Sequence, residues 1–314
     1  MASTGFGTPL DTVAIVSLML TSILYGFSVL MFMGTTWTFT YIQRIQDVNR
    51  PIAAVAILMF LLSTVHIVVV VIRTEDGLVK YRDTFPGGPV AFFADVSQET
   101  FVVKCAIYVL QTLLGDGVMI YRCYVVWKSV RVINLPCVMW CGVATFGVCW
   151  TYNYSQAGSN FGSIFTGETG HWVTAFLVFT LTANLLTTGL LAYRIWTIER
   201  SVAAIRSTKG KMPIIWVLVD AALLYSMALC SSLICFARSN NGLFVIGDMI
   251  VIIISIAFYM VFIRLAISKS TQDHLSTLRG GPSEVERRIS VQFPTQPLQT
   301  GYLDNVFFLL ATDR

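Results

Sequence analysis

Long apolar runs alternate with short polar segments along most of this chain. Seven runs are long enough to cross a bilayer, since a membrane-spanning helix needs about 20 mostly apolar residues. They cover residues 10–33, 51–72, 101–127, 137–154, 172–195, 214–236 and 244–267, with ends uncertain by several residues. None of them has the short alternating pattern of strands in a membrane barrel. The pattern therefore predicts an all-α polytopic membrane protein, a bundle of seven transmembrane helices within residues 10–267.

Composition agrees with a membrane protein. Of the 314 residues, 55% are hydrophobic and 12% are charged, and the mean hydropathy is +0.71. Soluble domains average about 25% charged residues. The basic residues lie at the ends of the apolar runs and form no patch, so the expected surroundings are the lipid bilayer and not a nucleic acid.

The flanking charges predict the orientation, because cytosolic flanks are enriched in Lys and Arg. Thirteen such residues lie in the loops 34–50, 128–136 and 196–213 and in the tail after residue 267, against four in the other loops. The majority are Arg44, Arg50, Lys128, Arg131, Arg200, Arg206, Lys209, Lys211, Lys269, Arg279, Arg287, Arg288 and Arg314; the minority are Arg73, Lys80, Arg82 and Arg238. The short N-terminus, residues 1–9, is therefore expected outside the cell and the C-terminus in the cytosol.

The tail and one outer loop contain candidate modification sites. Residues 268–314 are rich in Ser, Thr, Gln, Gly and Pro, which is typical of a disordered segment. Two arginines precede Ser290 in Arg287-Arg-Ile-Ser290, which makes it a phosphorylation candidate. The sequon Asn153-Tyr-Ser155 falls on the predicted outer side, so Asn153 is a glycosylation candidate.

Polar side chains near the bilayer centre are the strongest functional signal. Asp116 lies near the middle of the third predicted span, and a charge there costs about 2.5–3.5 kcal/mol, so it is expected to face a protein interior. Gln111 and Thr112 lie about one turn away, and Asn184 lies at similar depth in the fifth span. These four residues, Asp116, Thr112, Asn184 and Gln111, are predicted to form a ligand cavity.

An acid and a base also lie at similar depth in the inner half of the bundle. Arg122 is in the third span and Asp220 is in the sixth, and two unpaired charges in one layer would both be costly. We therefore predict that they form an ion pair, in contact directly or through one water molecule. That pair would either fix helix packing permanently or act as a latch that opens on activation.

No motif assigns catalysis, a cofactor or a metal. The chain has no P-loop, no dinucleotide fingerprint, no G-x-S-x-G, no C-x-x-C pair and no Cys/His cluster with zinc spacing. On the predicted outer side, Asp248 is expected to cap the start of the seventh span. A zinc site formed by Asp248, His66 and His171 is a minor alternative, since their spacing matches no motif.

Three short motifs carry a resemblance to a known group of proteins. They are Gly115-Asp116 with Tyr121-Arg-Cys-Tyr-Val-Val-Trp127, Ala192-Tyr-Arg-Ile-Trp196 and Asp220-Ala-Ala-Leu-Leu-Tyr225. The chain resembles a large group of functionally uncharacterised seven-helix membrane proteins from mushroom-forming fungi, in which the acid of the sixth span is more often Glu. It is also similar in layout to G-protein-coupled receptors. The resemblance implies a fold and a receptor-like arrangement, and it implies no catalytic residues.

These observations lead to one preferred function and several alternatives. The preferred function is a receptor-like sensor of a small or lipophilic ligand, contacting a cytosolic signalling protein through residues 196–213 and the tail. Its expected location is the plasma membrane, with another endomembrane as the alternative. The first alternative is a membrane-embedded isomerase or cyclase for a lipid or terpenoid, with Asp116 as the acid. A transporter and a purely structural membrane protein are further alternatives.

Overall fold

The structure is a computed structural model that describes residues 9–41, 50–156, 168–203 and 214–279. Within these ranges it contains eight α-helices and no strands, which confirms the all-α prediction. The helices are α1 (Leu10–Tyr41), α2 (Arg50–Glu75), α3 (Gly88–Ala94), α4 (Glu99–Trp127), α5 (Val130–Gln156), α6 (Glu168–Ala203), α7 (Ile214–Ala237) and α8 (Gly242–Arg279). A π-helical turn, Asp76–Lys80, continues α2.

Seven of these helices correspond to the seven predicted spans. All except the short α3 are long and apolar enough to cross a membrane by length and composition. They support the prediction of a multi-pass membrane protein. Predicted spans and observed helices agree in number and order, while the orientation of the bundle in a membrane stays a prediction.

Four helices, α1, α5, α6 and α8, extend well beyond the predicted apolar runs. Helix α5 begins at Val130 and includes Pro136, whereas the predicted span began just after this proline. A proline is tolerated inside a membrane helix when neighbouring groups satisfy the freed carbonyl. Helix α8 continues to Arg279, twelve residues past the predicted end at 267. Its polar last turns contain no helix breaker before Gly280-Gly-Pro282, so the helix outlasts the apolar pattern.

Helix α4 lies at the centre of the bundle and contacts α2, α5, α6 and α8. Two indole N–H groups attach it to its neighbours, because Trp140 of α5 donates to the Leu113 carbonyl at 3.0 Å and Trp127 donates to the Leu190 carbonyl of α6 at 3.2 Å. Helix α8 packs against both α1 and α7 and closes the bundle. The polar residues of α4 therefore face other helices.

The segment between α2 and α4 folds over the N-terminal end of the bundle, where α1 begins and α2 ends. The buried guanidinium of Arg73 donates to Gln98 Oε1 at 3.0 Å, to Thr100 Oγ1 at 3.1 Å and to the Asp95 carbonyl at 3.0 Å. Helix α3 buries Phe92 against Leu10 of α1. This segment is thus fixed to the bundle by a charged group and an aromatic side chain.

Candidate functional site

The first candidate site is a cavity of about 60 Å³ lined by α4, α6, α7 and α8, here called the Asp116 cavity. Helix α4 contributes Thr112, Asp116 and Arg122, and helix α6 contributes Asn184. The other walls are mostly apolar and come from α7 and α8. The volume is sufficient for a few water molecules or a small ligand.

Asp116 and Arg122 are buried in this cavity, each with 5% of its surface exposed. Within the described residues, neither side chain forms an ion pair, and Asp116 Oδ2 and Arg122 Nη2 have no hydrogen-bond partner. The guanidinium carbon of Arg122 instead lies 4.3 Å from the ring centre of Phe262 and 5.9 Å from that of Phe258. Buried polar atoms are nearly always hydrogen-bonded, so these two are available to bind a polar group in the cavity.

Asn184 contributes an amide to the same cavity, and the protein uses part of its hydrogen-bonding capacity. Its Nδ2 donates to Ser226 Oγ at 2.9 Å and thereby joins α6 to α7. The carboxyl of Asp116, the guanidinium of Arg122 and this amide give the cavity both donors and acceptors around an apolar space.

Gln111 lies in a different polar cluster and does not line the Asp116 cavity. Its Nε2 donates to Ser63 at 3.3 Å and to Ser255, and the two serine hydroxyls are 2.7 Å apart. This cluster joins α2, α4 and α8. Of the four residues predicted to share a site, the structure therefore brings together Asp116, Thr112 and Asn184.

The structure does not bring Arg122 and Asp220 together, which corrects the expected direct ion pair. Asp220 is exposed on the outside of the bundle, and no ion pair joins these two described residues. The next residues of α7, Ala221 and Ala222, line the cavity. Successive helical residues are about 100° apart, so Asp220 projects away from Arg122 although the two are at similar depth.

Lys104 and Asp248 form a buried ion pair among the described residues. Lys104 Nζ of α4 lies 2.9 Å from Asp248 Oδ1 of α8, and Ser17 Oγ of α1 donates to Asp248 Oδ2 at 2.6 Å. His66 Nε2 of α2 lies 3.7 Å from Asp248 Oδ1. Asp248 therefore contacts three other helices and does not cap the start of its own. The similar depth of Lys104 and Asp248 in the sequence could have indicated this pair.

The alternative zinc site finds no support in the described part of the chain. No group of three or more metal-ligating side chains occurs there, and His171 is exposed at the start of α6.

Asn153 lies near the end of α5, half-buried, and its Nδ2 donates to the Cys149 carbonyl at 2.8 Å. Ser290 and residues 204–213 lie outside the described residues. The phosphorylation of Ser290 and a signalling contact at residues 204–213 therefore stay predictions.

We compared the chain with protein-family models, with curated proteins and with solved structures, and none of the three comparisons found a match.

Proposed function

We propose that this chain is a receptor-like membrane sensor that binds a small amphipathic ligand in the Asp116 cavity. The supporting observation is the pair of buried and unpaired charged side chains, Asp116 and Arg122, in the wall of one mostly apolar cavity. Unpaired buried charges are costly, so residues of this kind inside a membrane bundle typically mark a functional site.

The chemistry of the cavity suggests the class of ligand. A group that donates hydrogen bonds would contact the Asp116 carboxyl, and a group that accepts them would contact Arg122 or the Asn184 amide. The apolar side chains of Met119, Ile254 and other residues would surround the ligand body. The preferred ligand is therefore a small lipophilic molecule with both donor and acceptor groups.

The remaining parts of this proposal rest on the sequence. The excess of Lys and Arg favours an N-terminus outside the cell and a cytosolic C-terminus, with the plasma membrane as the location. A cytosolic signalling protein would then contact residues 196–213 and the tail. The resemblance to the fungal seven-helix group and to G-protein-coupled receptors favours the same arrangement, although fold alone does not fix function.

A binding experiment with a matched control tests this proposal. A defined panel of amphipathic small molecules is incubated with the purified protein in nanodiscs, and bound compounds are identified by mass spectrometry. Compounds that bind the wild type should be lost from Asp116→Asn and retained by Asp220→Asn, which makes the same chemical change outside the cavity. Equal retention by both variants, or no bound compound at all, would reject the Asp116 cavity as the ligand site.

A second experiment tests sensing. A compound retained by the wild type should stimulate nucleotide exchange on a co-reconstituted G protein. Absence of any exchange across a broad set of G proteins would remove most of the support for a receptor that couples to them.

The unpartnered Asp116 Oδ2 also favours one enzymatic alternative. A protonated carboxyl group in an apolar cavity can transfer its proton to an apolar substrate, as an isomerase or cyclase requires. Product formation from candidate lipids or terpenoids should then depend on Asp116. An Asp116→Asn variant as active as the wild type would exclude this role.

A further inference from the structure

A second cavity, here called the Tyr108 cavity, lies nearer the N-terminal end of the bundle. Its volume is also about 60 Å³, and it shares no lining residue with the Asp116 cavity. Helices α2, α4, α5, α6, α7 and α8 all contribute to its walls. It is therefore a separate compartment with its own chemistry.

Four side chains on four helices line this cavity with polar atoms that form no hydrogen bond to the protein. These atoms are both ring nitrogens of His66, the hydroxyl of Tyr108, the indole N–H of Trp150 and the hydroxyl of Ser232, within the described residues. His66 has only its 3.7 Å contact with Asp248. The four residues are almost completely buried, with 1%, 6%, 7% and 1% of their surfaces exposed. Because buried polar atoms are nearly always hydrogen-bonded, four such side chains around one space indicate an occupant that forms hydrogen bonds.

The charges at the edge of the cavity already neutralise each other. Lys104 and Asp248 both line it, and their ion pair has an N–O distance of 2.9 Å. Ser17 supplies a further hydrogen bond to Asp248. An ionised ligand would find no unpaired opposite charge here and would lose its hydration, so the cavity favours a neutral occupant.

Aromatic and aliphatic side chains form the remaining wall. The rings of Tyr108 and Trp150 meet edge to face with centres 5.8 Å apart, and Phe101, Tyr154 and Phe244 line the same space. Such walls suit an apolar body. The volume is far below the roughly 300–1,000 Å³ of sites for drug-sized ligands. The part of a ligand that this space holds is therefore a short chain or a single ring.

We propose that the Tyr108 cavity binds a small neutral alcohol or phenol, whose hydroxyl group forms hydrogen bonds with His66, Tyr108 and Ser232. A hydroxyl has one donor and two acceptor positions, and a neutral imidazole together with two hydroxyl side chains offers partners for both kinds. The apolar body of the ligand packs against the aromatic wall. This site goes beyond the proposed sensor function and does not depend on the Asp116 cavity.

Fluorine NMR with matched probes tests the ligand class. The full-length protein in nanodiscs is titrated with 4-fluorophenol and with trifluoroethanol, and empty nanodiscs correct for partition into lipid. The first probe has an aromatic body and the second has a two-carbon body. In 4-fluorotoluene a methyl group replaces the hydroxyl, and 4-fluorobenzoate is an anion. Saturable binding of at least one hydroxyl probe, with both comparison compounds about five-fold weaker or more, is the expected result.

Conservative variants then locate the binding site. Tyr108→Phe removes only a hydroxyl and should weaken binding about five-fold, the usual effect of losing one hydrogen bond. Its control is Tyr152→Phe, because Tyr152 is 64% exposed on α5. Ser232→Ala should have a similar effect, and its control is Ser231→Ala, the exposed neighbour in sequence. Both controls should bind as the wild type does.

Several results would overturn the assignment. They are no saturable binding of either hydroxyl probe, equal binding of 4-fluorotoluene, preferential binding of 4-fluorobenzoate, or unchanged affinity in both cavity variants. A thermal melt of each variant checks folding, and Ser232→Ala decides the question if Tyr108→Phe does not fold. Asp116→Asn affects the other cavity, so a failure of the sensor proposal would be seen separately from a failure of this one.

Discussion

The ion pair between Lys104 and Asp248 allows a quantitative test of how this bundle is stabilised. Asp248→Asn keeps the shape of the side chain and one carbonyl oxygen but removes the negative charge. The Lys104 side chain is only 13% exposed, and the Asp248 side chain is 6% exposed. The variant therefore leaves a buried ammonium without its counter-charge.

The expected cost follows from the burial of the pair. Removing one partner of a buried ion pair typically lowers the free energy of unfolding by about 3–5 kcal/mol, because the other charge is left uncompensated. Ser17 can still donate to the remaining oxygen, since its hydroxyl lies 2.6 Å from the carboxylate in the wild type. We therefore expect a loss of about 3 kcal/mol, at the lower end of that range.

The measurement is the free energy of unfolding in mixed detergent micelles titrated with sodium dodecyl sulfate. The chain supplies a control pair, because Asp76 and Lys80 lie 3.4 Å apart in the π-helical turn and the Lys80 side chain is 63% exposed. Asp76→Asn should cost at most about 0.5 kcal/mol, as exposed pairs of this spacing do. The two variants make the same chemical change and differ in burial.

A double variant separates the charge effect from a loss of packing. Replacing a buried ion pair with apolar residues of similar volume is often neutral or stabilising. Lys104→Met combined with Asp248→Leu should therefore recover most of the stability lost in Asp248→Asn. The reasoning would be refuted if Asp248→Asn were no less stable than Asp76→Asn, or if the double variant were less stable than Asp248→Asn alone.

Three further predictions concern packing, the N-terminal segment and the exposed acid of α7. Gly147→Ala places a methyl group 2.6 Å from Val109 Cγ1 and should lower the free energy of unfolding by about 1–3 kcal/mol. Its control is Gly189→Ala, where the new methyl group has no atom within 4 Å and should raise the free energy of unfolding by up to about 1 kcal/mol. Thermal unfolding of the two variants tests this difference. Arg73→Met removes the hydrogen bonds that hold residues 95–100 and should increase proteolysis of the segment 76–98 by at least about ten-fold, while the exposed Arg82→Met should not. Asp220→Asn should change the free energy of unfolding by less than about 0.5 kcal/mol, since Asp220 is exposed and forms no ion pair with a described residue; a loss of several kcal/mol would show that the acid has a buried partner.

The seven long helices could be predicted from the sequence because a membrane leaves few structural options. In lipid every backbone polar group of a spanning segment needs an internal partner, so a long apolar run indicates a helix almost by itself. The same rule says little about helix ends. The predicted apolar runs began after Pro136 and ended at Ile267, but the helices include Pro136 and the polar residues up to Arg279.

Partner choice in the bundle was harder to predict, as the two acid–base combinations illustrate. Depth along a helix can be counted from the sequence, and it matches Arg122 to Asp220 as well as Lys104 to Asp248. The direction of a side chain around its helix depends on how all seven helices pack. Asp220 lies on the outward face of α7, whereas Asp248 lies on the face of α8 that points into the bundle. Of these two acids, only Asp248 forms an ion pair with a described residue.

Helix α4 contributes polar side chains to both cavities and to the buried ion pair. Lys104 and Tyr108 line one cavity, Asp116 and Arg122 line the other, and all four project from this one helix. The hydrogen-bonding atoms of Tyr108, Asp116 and Arg122 that lack protein partners each cost about 1–3 kcal/mol of folding free energy, and apolar side chains at these positions would avoid that cost. A ligand that forms the missing hydrogen bonds offsets it. Because α4 packs against α2, α5, α6 and α8, a ligand in either cavity would contact a helix that touches four others.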